Sequence, residues 1–194
     1  MIQRICIFLF SALWLHAAEM QVQFIPSDTH ILYEVDSVLH NVKGAFRFKS
    51  GNIRFDPAGG KASGLLTVDA TSGQSGDHAR DSRMHKEIIQ SPKYPEITFT
   101  LDHIEGAVKL EGDSMIQVHG IFGIHGAEHE ITMPAQVHIT NGDVNLTTTF
   151  SIPFIQWGMK NPITFVLRVN NTVKIDIQAV GKLSGAVTGS ATAP

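Results

Sequence analysis

In the second half of this chain, apolar residues fall at every other position through one strand-length run after another. Ile97, Phe99 and Leu101 alternate with Thr98, Thr100 and Asp102, and Ile116, Val118, Gly120 and Phe122 with Gln117, His119 and Ile121. Ile131, Met133, Ala135, Val137 and Ile139 alternate with Thr132, Gln136, His138 and Thr140. Val144, Leu146, Phe150, Ile152 and Phe154 oppose Asn145, Thr147, Thr149 and Ser151. Ile163, Phe165, Leu167 and Val169 precede a turn at Asn170-Asn171, after which Val173, Ile175, Ile177 and Ala179 oppose Lys174, Asp176 and Gln178. A period of two buries one face and wets the other, the mark of an antiparallel sheet. Turn signals arrive about every 8–12 residues, as an all-β barrel or sandwich requires; Glu111-Gly112-Asp113 and Asn141-Gly142-Asp143 are two of the clearest. Long strands with short connections favour the closed barrel.

The first half follows the same rule less cleanly. Pro26-Ser27-Asp28 reads as a turn before a strand over Thr29–Asp36. Val42 to Phe55 is long for one strand. Phe46 and Phe48 share a face while Ile53 and Phe55 have the opposite parity, so a bulge or bend is expected near Ser50-Gly51. Asp56 to Gly60 is a turn, Gly64 to Ala70 alternates, and 71–78 is a loop. One stretch breaks the pattern. In RDSRMHKEIIQSPKYPEITF, Arg80 to Phe99, Met84, Ile88 and Ile89 recur at helical spacing until Pro92 and Pro95 end the helix. This predicts a single helix over about 79–91 covering one end of the barrel.

Met1 to Arg4 supplies a positive start, Ile5 to Leu15 an apolar run and Ala17-Ala18 a small-residue site, so residues 1–18 read as an export signal. The expected product is periplasmic or secreted, with a domain over 19–183, a disordered small-residue tail over 184–194 and no membrane-spanning segment. The lone cysteine, Cys6, falls in the signal. That leaves a mature chain with no disulfide, no thiolate nucleophile and no cysteine metal ligand. The net charge of −3 comes from mixed signs, with no basic run or basic–aromatic stripe, which argues against nucleic acid.

Four segments, taken in order, resemble the YceI family of exported, lipocalin-like proteins. They are Asp28-Thr29-His30 with Gly44-Ala45-Phe46; Arg80-Asp81, Met84-His85 and Lys93 to Phe99; Gly120 with Ile124-His125-Gly126; and Ile152-Pro153-Phe154 with Trp157 to Pro162. The likeness spans about residues 25–183. It implies an eight-stranded antiparallel barrel with a helix at one end and an elongated apolar cavity for a polyisoprenoid or other long amphiphile, without catalysis.

The inward apolar face, with Phe46, Phe48, Leu66, Phe99, Val118, Phe150, Phe154 and Phe165, is the candidate binding surface, set against the alternative of a barrel filled by its own side chains. Arg80, Asp81, His85, Trp157 and Lys160 are the candidates for its mouth. Arg80 or Lys160 would meet a phosphate or carboxylate. Equally, Asp81 would serve the helix dipole, Arg80 would pair with a rim carboxylate and Trp157 would plug the end. Met84, Ile88 and Ile89 are expected to seal the barrel.

Histidines are numerous: His78 and His85 flank the helix, and His119, His125 and His129 cluster in sequence. His125 and His129 would share a face if they lay on one strand. The spacing matches no metal motif, and isolated surface or turn histidines account for it. No nucleophile elbow, phosphate loop or carboxylate pair is present; His85 and Asp81, four apart, have nothing to serve.

The leading expectation is thus a non-enzymatic carrier or store with no cofactor other than a bound isoprenoid lipid, such as a quinone side chain or an undecaprenyl-like chain. The alternatives are a periplasmic histidine-based metal- or pigment-binding protein and a filled-barrel stress protein. A homodimer is compatible with the sequence, which offers no exposed patch to argue one.

Overall fold

A computed structural model describes residues 19–36, 41–162 and 170–185. The strands are β1 (Met20–Phe24), β2 (His30–Val35), β3 (Val42–Phe55), β4 (Gly60–Gln74), β5 (Glu96–Glu105), β6 (Gly112–Ile124), β7 (Ala127–Thr140), β8 (Asp143–Ile152) and β9 (Val173–Gly185). All pairs are antiparallel, and β3–β4 and β2–β9 pairing closes the sheet on itself. β1 and β2 both lie between β3 and β9. Gln21 faces Arg54 and Ser184, while Leu32 faces Ala45 and Asp176. They are one barrel stave broken by a tight turn at Pro26–Asp28, so the nine segments form an eight-stranded closed barrel.

The expected break in β3 is present as a register shift between Phe48 and Ser50. Two hairpins turn on paired left-handed residues, His125-Gly126 (φ 56° and 74°) and Asn141-Gly142 (φ 51° and 81°), the primed geometry that matches strand twist. β9 continues through Ser184 and Gly185, which pair with Gln21 and Met20, so the first two residues of the expected tail are strand. The expected signal, the rest of that tail and the run Ile163 to Val169 lie outside the described residues.

The helix is shorter and less regular than its pattern implied. α1 covers His78–Arg83, and a π-helical turn follows over Met84–Ile88. Asp77 caps the start by accepting from the Arg80 amide at 2.9 Å. At the end Gln90 is left-handed (φ 50°), and the Ser91 amide reaches back to the His85 carbonyl. The extra residue of the π turn has a use. Residues facing the barrel occur as Ala79-Arg80, Arg83-Met84 and Ile88-Ile89, a step of four and then five.

Backbone pairing of β7 with β8 covers only Gln136–Thr140 against Asp143–Thr147. Nearer the helix end, Thr148 donates its hydroxyl to the Pro134 carbonyl, 2.7 Å away, and Trp157 stacks on His129.

Candidate functional site

The barrel interior holds two voids of very different size. The larger, about 510 Å³, lies at the helix end. Its walls are alternate residues of the staves, among them Ile31 and Tyr33 of β2, Val68 of β4, Ile97 of β5, Phe122 of β6, Phe150 of β8 and Ile177 of β9. Helix residues Arg80, Arg83, Met84 and Ile88 roof it, with Phe154, Met159 and Pro162 from the loop after β8. The smaller void, about 60 Å³, lies toward the opposite end among Phe24, Phe55, Leu66, Phe99, Val118 and Ile139. The barrel interior is therefore wide beneath the helix and narrow toward the other end.

Of the inward residues singled out from sequence, Phe46, Phe150 and Phe154 line the large cavity. Leu66, Phe99 and Val118 line the small one, and Phe48 is a buried core residue that lines neither. Phe165 lies outside the described residues. Met84, Ile88 and Ile89 line the large cavity as well as covering it.

The lining has few polar groups: the Tyr33 hydroxyl and the guanidinium groups of Arg80 and Arg83. Tyr33 is buried, its hydroxyl 3.5 Å from the Met84 sulfur. Burial, and then the charge of Asp81, push its pKa upward, so it stays a neutral donor. Arg80 is tied down by Ser75, through its Nε to the hydroxyl (2.7 Å) and one terminal nitrogen to the carbonyl (3.0 Å). The expected rim carboxylate is not its partner. Asp81 accepts from the Ser75 amide at 2.9 Å and from its hydroxyl. Ser75 thus fixes the first turn of α1 to the end of β4.

Arg83 was missed in the sequence, although it lies three residues from Arg80 and so on the same helical face. Its nearest carboxylate is Glu87, 3.8 Å away. Glu87 is also bonded by Lys160, an ion pair that joins the helix to the loop; Lys160 itself is exposed and does not line the cavity.

His85 does not meet Asp81. Its Nε2 lies 2.8 Å from the Gly73 carbonyl and its Nδ1 2.8 Å from the Ser91 hydroxyl. A carbonyl only accepts, so Nε2 carries the proton, and the ring clamps the helix end onto β4. His125 and His129 do not share a strand: His125 is in the β6–β7 turn, its ring 5.3 Å from that of Tyr94, and His129 is on β7. Trp157 stacks on His129 and sits 5.8 Å from Phe122, which is 6.2 Å from Phe150, so an aromatic path runs from the wall to the cavity. His119, on the outer face, bonds Asp102 at 2.6 Å and Glu130 at 2.9 Å. Among the described residues, no three histidine, cysteine or acidic side chains come together as a metal site, and no helix is long and apolar enough to cross a membrane.

This is an up-and-down antiparallel barrel, closed on itself, with a ligand-sized apolar cavity at its helix-covered end. The chain belongs to the YceI-like domain family, whose model matches residues 17–181. Three solved structures share the fold. BcnA of Burkholderia cenocepacia is 20% identical, with a TM-score of 0.70 over 81% of this chain and 98% of that one. A polyisoprenoid binding domain from Saccharophagus degradans, implicated in plant cell wall breakdown, is 15% identical, with a TM-score of 0.66 over 84% and 98%. The YCEI protein of Campylobacter jejuni is 19% identical, with a TM-score of 0.58 over 76% and 86%. No functionally curated protein matches the chain.

Proposed function

We propose that this protein is an exported, non-catalytic carrier or store that buries the isoprenoid-type tail of an amphiphilic lipid in the cavity beneath α1. One observation carries the reading: a preformed void of about 510 Å³ whose walls are apolar except for Tyr33, Arg80 and Arg83. Each methylene moved from water into such a space contributes about 0.8 kcal/mol, so a chain of a dozen carbons is held firmly without directional contacts. Polar partners are needed only at the head group. Arg83 is the best placed, because Arg80 already serves Ser75. The head group it favours carries a phosphate, a carboxylate or another strong acceptor. The kinship with a polyisoprenoid binding domain supports the same class of tail.

The test is direct. Protein purified without detergent is extracted with organic solvent and the extract analysed by mass spectrometry; a stoichiometric amphiphile is expected. The delipidated protein should take up a prenyl lipid, and Arg83→Ala should weaken uptake of an anionic prenyl lipid more than that of the neutral alcohol. Protein that neither carries nor takes up such a lipid would remove the proposal.

A further inference from the structure

The parity that turns Ile31 and Val35 of β2 inward also turns Tyr33 inward between them, so a phenol stands in the wall of the large cavity. Tyr33 is 8% exposed, and among the described residues its hydroxyl has one hydrogen-bond partner, the Met84 sulfur 3.5 Å away. A thioether is a weak acceptor, and a buried phenol usually finds a better one. The Ser75 hydroxyl, which also acts on the phenol, already donates to Asp81 and accepts from Arg80 Nε.

The neighbours hold the ring in place and leave the sulfur able to move. Gly44 of β3 lies opposite Tyr33, and a Cβ there would strike the phenol Cζ and oxygen. The tip of the ring therefore rests against bare backbone, with the Phe46 ring 5.4 Å away on its flank. Met84 lines the cavity beside it, on an unbranched side chain with three rotatable bonds. Something entering the cavity can push the thioether aside without disturbing the phenol.

We infer that Tyr33 selects the ligand at the junction of tail and head: its hydroxyl leaves the Met84 sulfur and donates to a neutral oxygen there, a carbonyl or a hydroxyl. This rests on the carrier reading above and narrows it. The negative charge of Asp81 bears on the phenol more than the positive charge of Arg80, which disfavours an anion at this point. An anionic group belongs at Arg83, whose side chain is 36% exposed. A hydrocarbon with no oxygen would fill the same apolar space and leave the phenol with its sulfur.

The experiment compares farnesene, farnesol and farnesal, which share one tail and differ in the oxygen, on the delipidated full chain by calorimetry. The ratio of variant to parent affinity is taken for each, so the cost of leaving water cancels. Tyr33→Phe should weaken farnesol and farnesal about three- to tenfold more than farnesene, the worth of one neutral hydrogen bond. The infrared carbonyl stretch of bound farnesal should lie below its value in hydrocarbon solvent and return toward that value in Tyr33→Phe. A purely structural role for the hydroxyl would weaken all three ligands alike, and that result overturns the inference. A lowered stretch that survives in Tyr33→Phe also overturns it, because an arginine then holds the oxygen. Met84→Leu removes the competing sulfur and should favour farnesal over farnesene by about twofold. An unchanged ratio in Met84→Leu overturns the inference whether or not Tyr33→Phe folds. All of these failures leave the carrier reading standing, whereas binding of none of the three ligands removes both.

Discussion

The imidazole of His129 lies flat against the indole of Trp157, ring centroids 3.9 Å apart and planes 4° from parallel. Its Nε2 is buried with no hydrogen-bond partner among the described residues. A proton there would be poorly solvated, and burial holds its pKa below the ordinary 6.5. The unfolded chain then binds the proton more readily than the folded one. The stability contributed by the neutral ring is complete above about pH 6.5 and is lost as pH falls from there through the lower folded value. His129→Phe should keep the stack and flatten this part of the profile. Urea unfolding midpoints from pH 5 to 8, compared between the two proteins, check it.

His119 should behave in the opposite sense. Hydrogen bonds to Asp102, and then to Glu130, raise its pKa above 6.5. Its contribution is fully present below 6.5 and disappears as pH rises through the folded value. In a proton NMR titration the ring C–H signals of His119 should move with a midpoint above 6.5 and those of His129 with one below. Midpoints in the reverse order would contradict both assignments.

Gly120→Ala should cost about 1–3 kcal/mol. The new methyl would press on the Thr100 carbonyl and come within 2.8 Å of Phe99 Cζ. The carbonyl belongs to the β5–β6 ladder and cannot retreat. A lower denaturation midpoint with an unchanged denaturant slope is the expected signature.

Asp81→Ala should loosen the helix without emptying the barrel core. It removes the acceptor for both the Ser75 amide and the Ser75 hydroxyl, leaving a part-buried amide unpaired at about 1–3 kcal/mol. Faster amide exchange confined to α1 and the end of β4 is expected, with exchange in β6 and β9 unaltered.

Enlarging Phe150 and Phe99 should have different effects. Phe150 borders the large void, so Phe150→Trp should weaken lipid uptake roughly tenfold, the worth of about two displaced methylenes. Phe99 faces the small one, so Phe99→Trp should overpack that end of the barrel and lower stability by about 1–3 kcal/mol while the tail site loses less. Equal losses of uptake from both would argue against two separate spaces.

Much of this fold was legible because parity is a strong signal. The alternation that places Ile97, Phe99 and Leu101 together is the alternation that puts them inside the barrel. Parity says nothing about height along the axis, however, so Phe46 and Phe99 look equivalent in the sequence and line different voids. Depth depends on strand tilt and register, which only the pairing reveals. The π turn was illegible for a related reason: a step of five among Met84, Ile88 and Ile89 looks like ordinary helical spacing until the hydrogen bonds are known. Arg80 and His85 were found by type, but their partners, Ser75, Gly73 and Ser91, are small or backbone groups that carry no charge signal.

The broken first stave has a consequence for how the molecule is made. β9 must slot between β8 on one side and β1 and β2 on the other, with Gly185 ending opposite Met20. The ring can close only after nearly the whole domain has been synthesised. Until then the strands form at most an open meander with two free edges, and long-range pairing of this kind is slow. A nascent chain in that state remains threadable, and the pocket beneath α1 comes into being at the same moment as the last hydrogen bonds between the two ends.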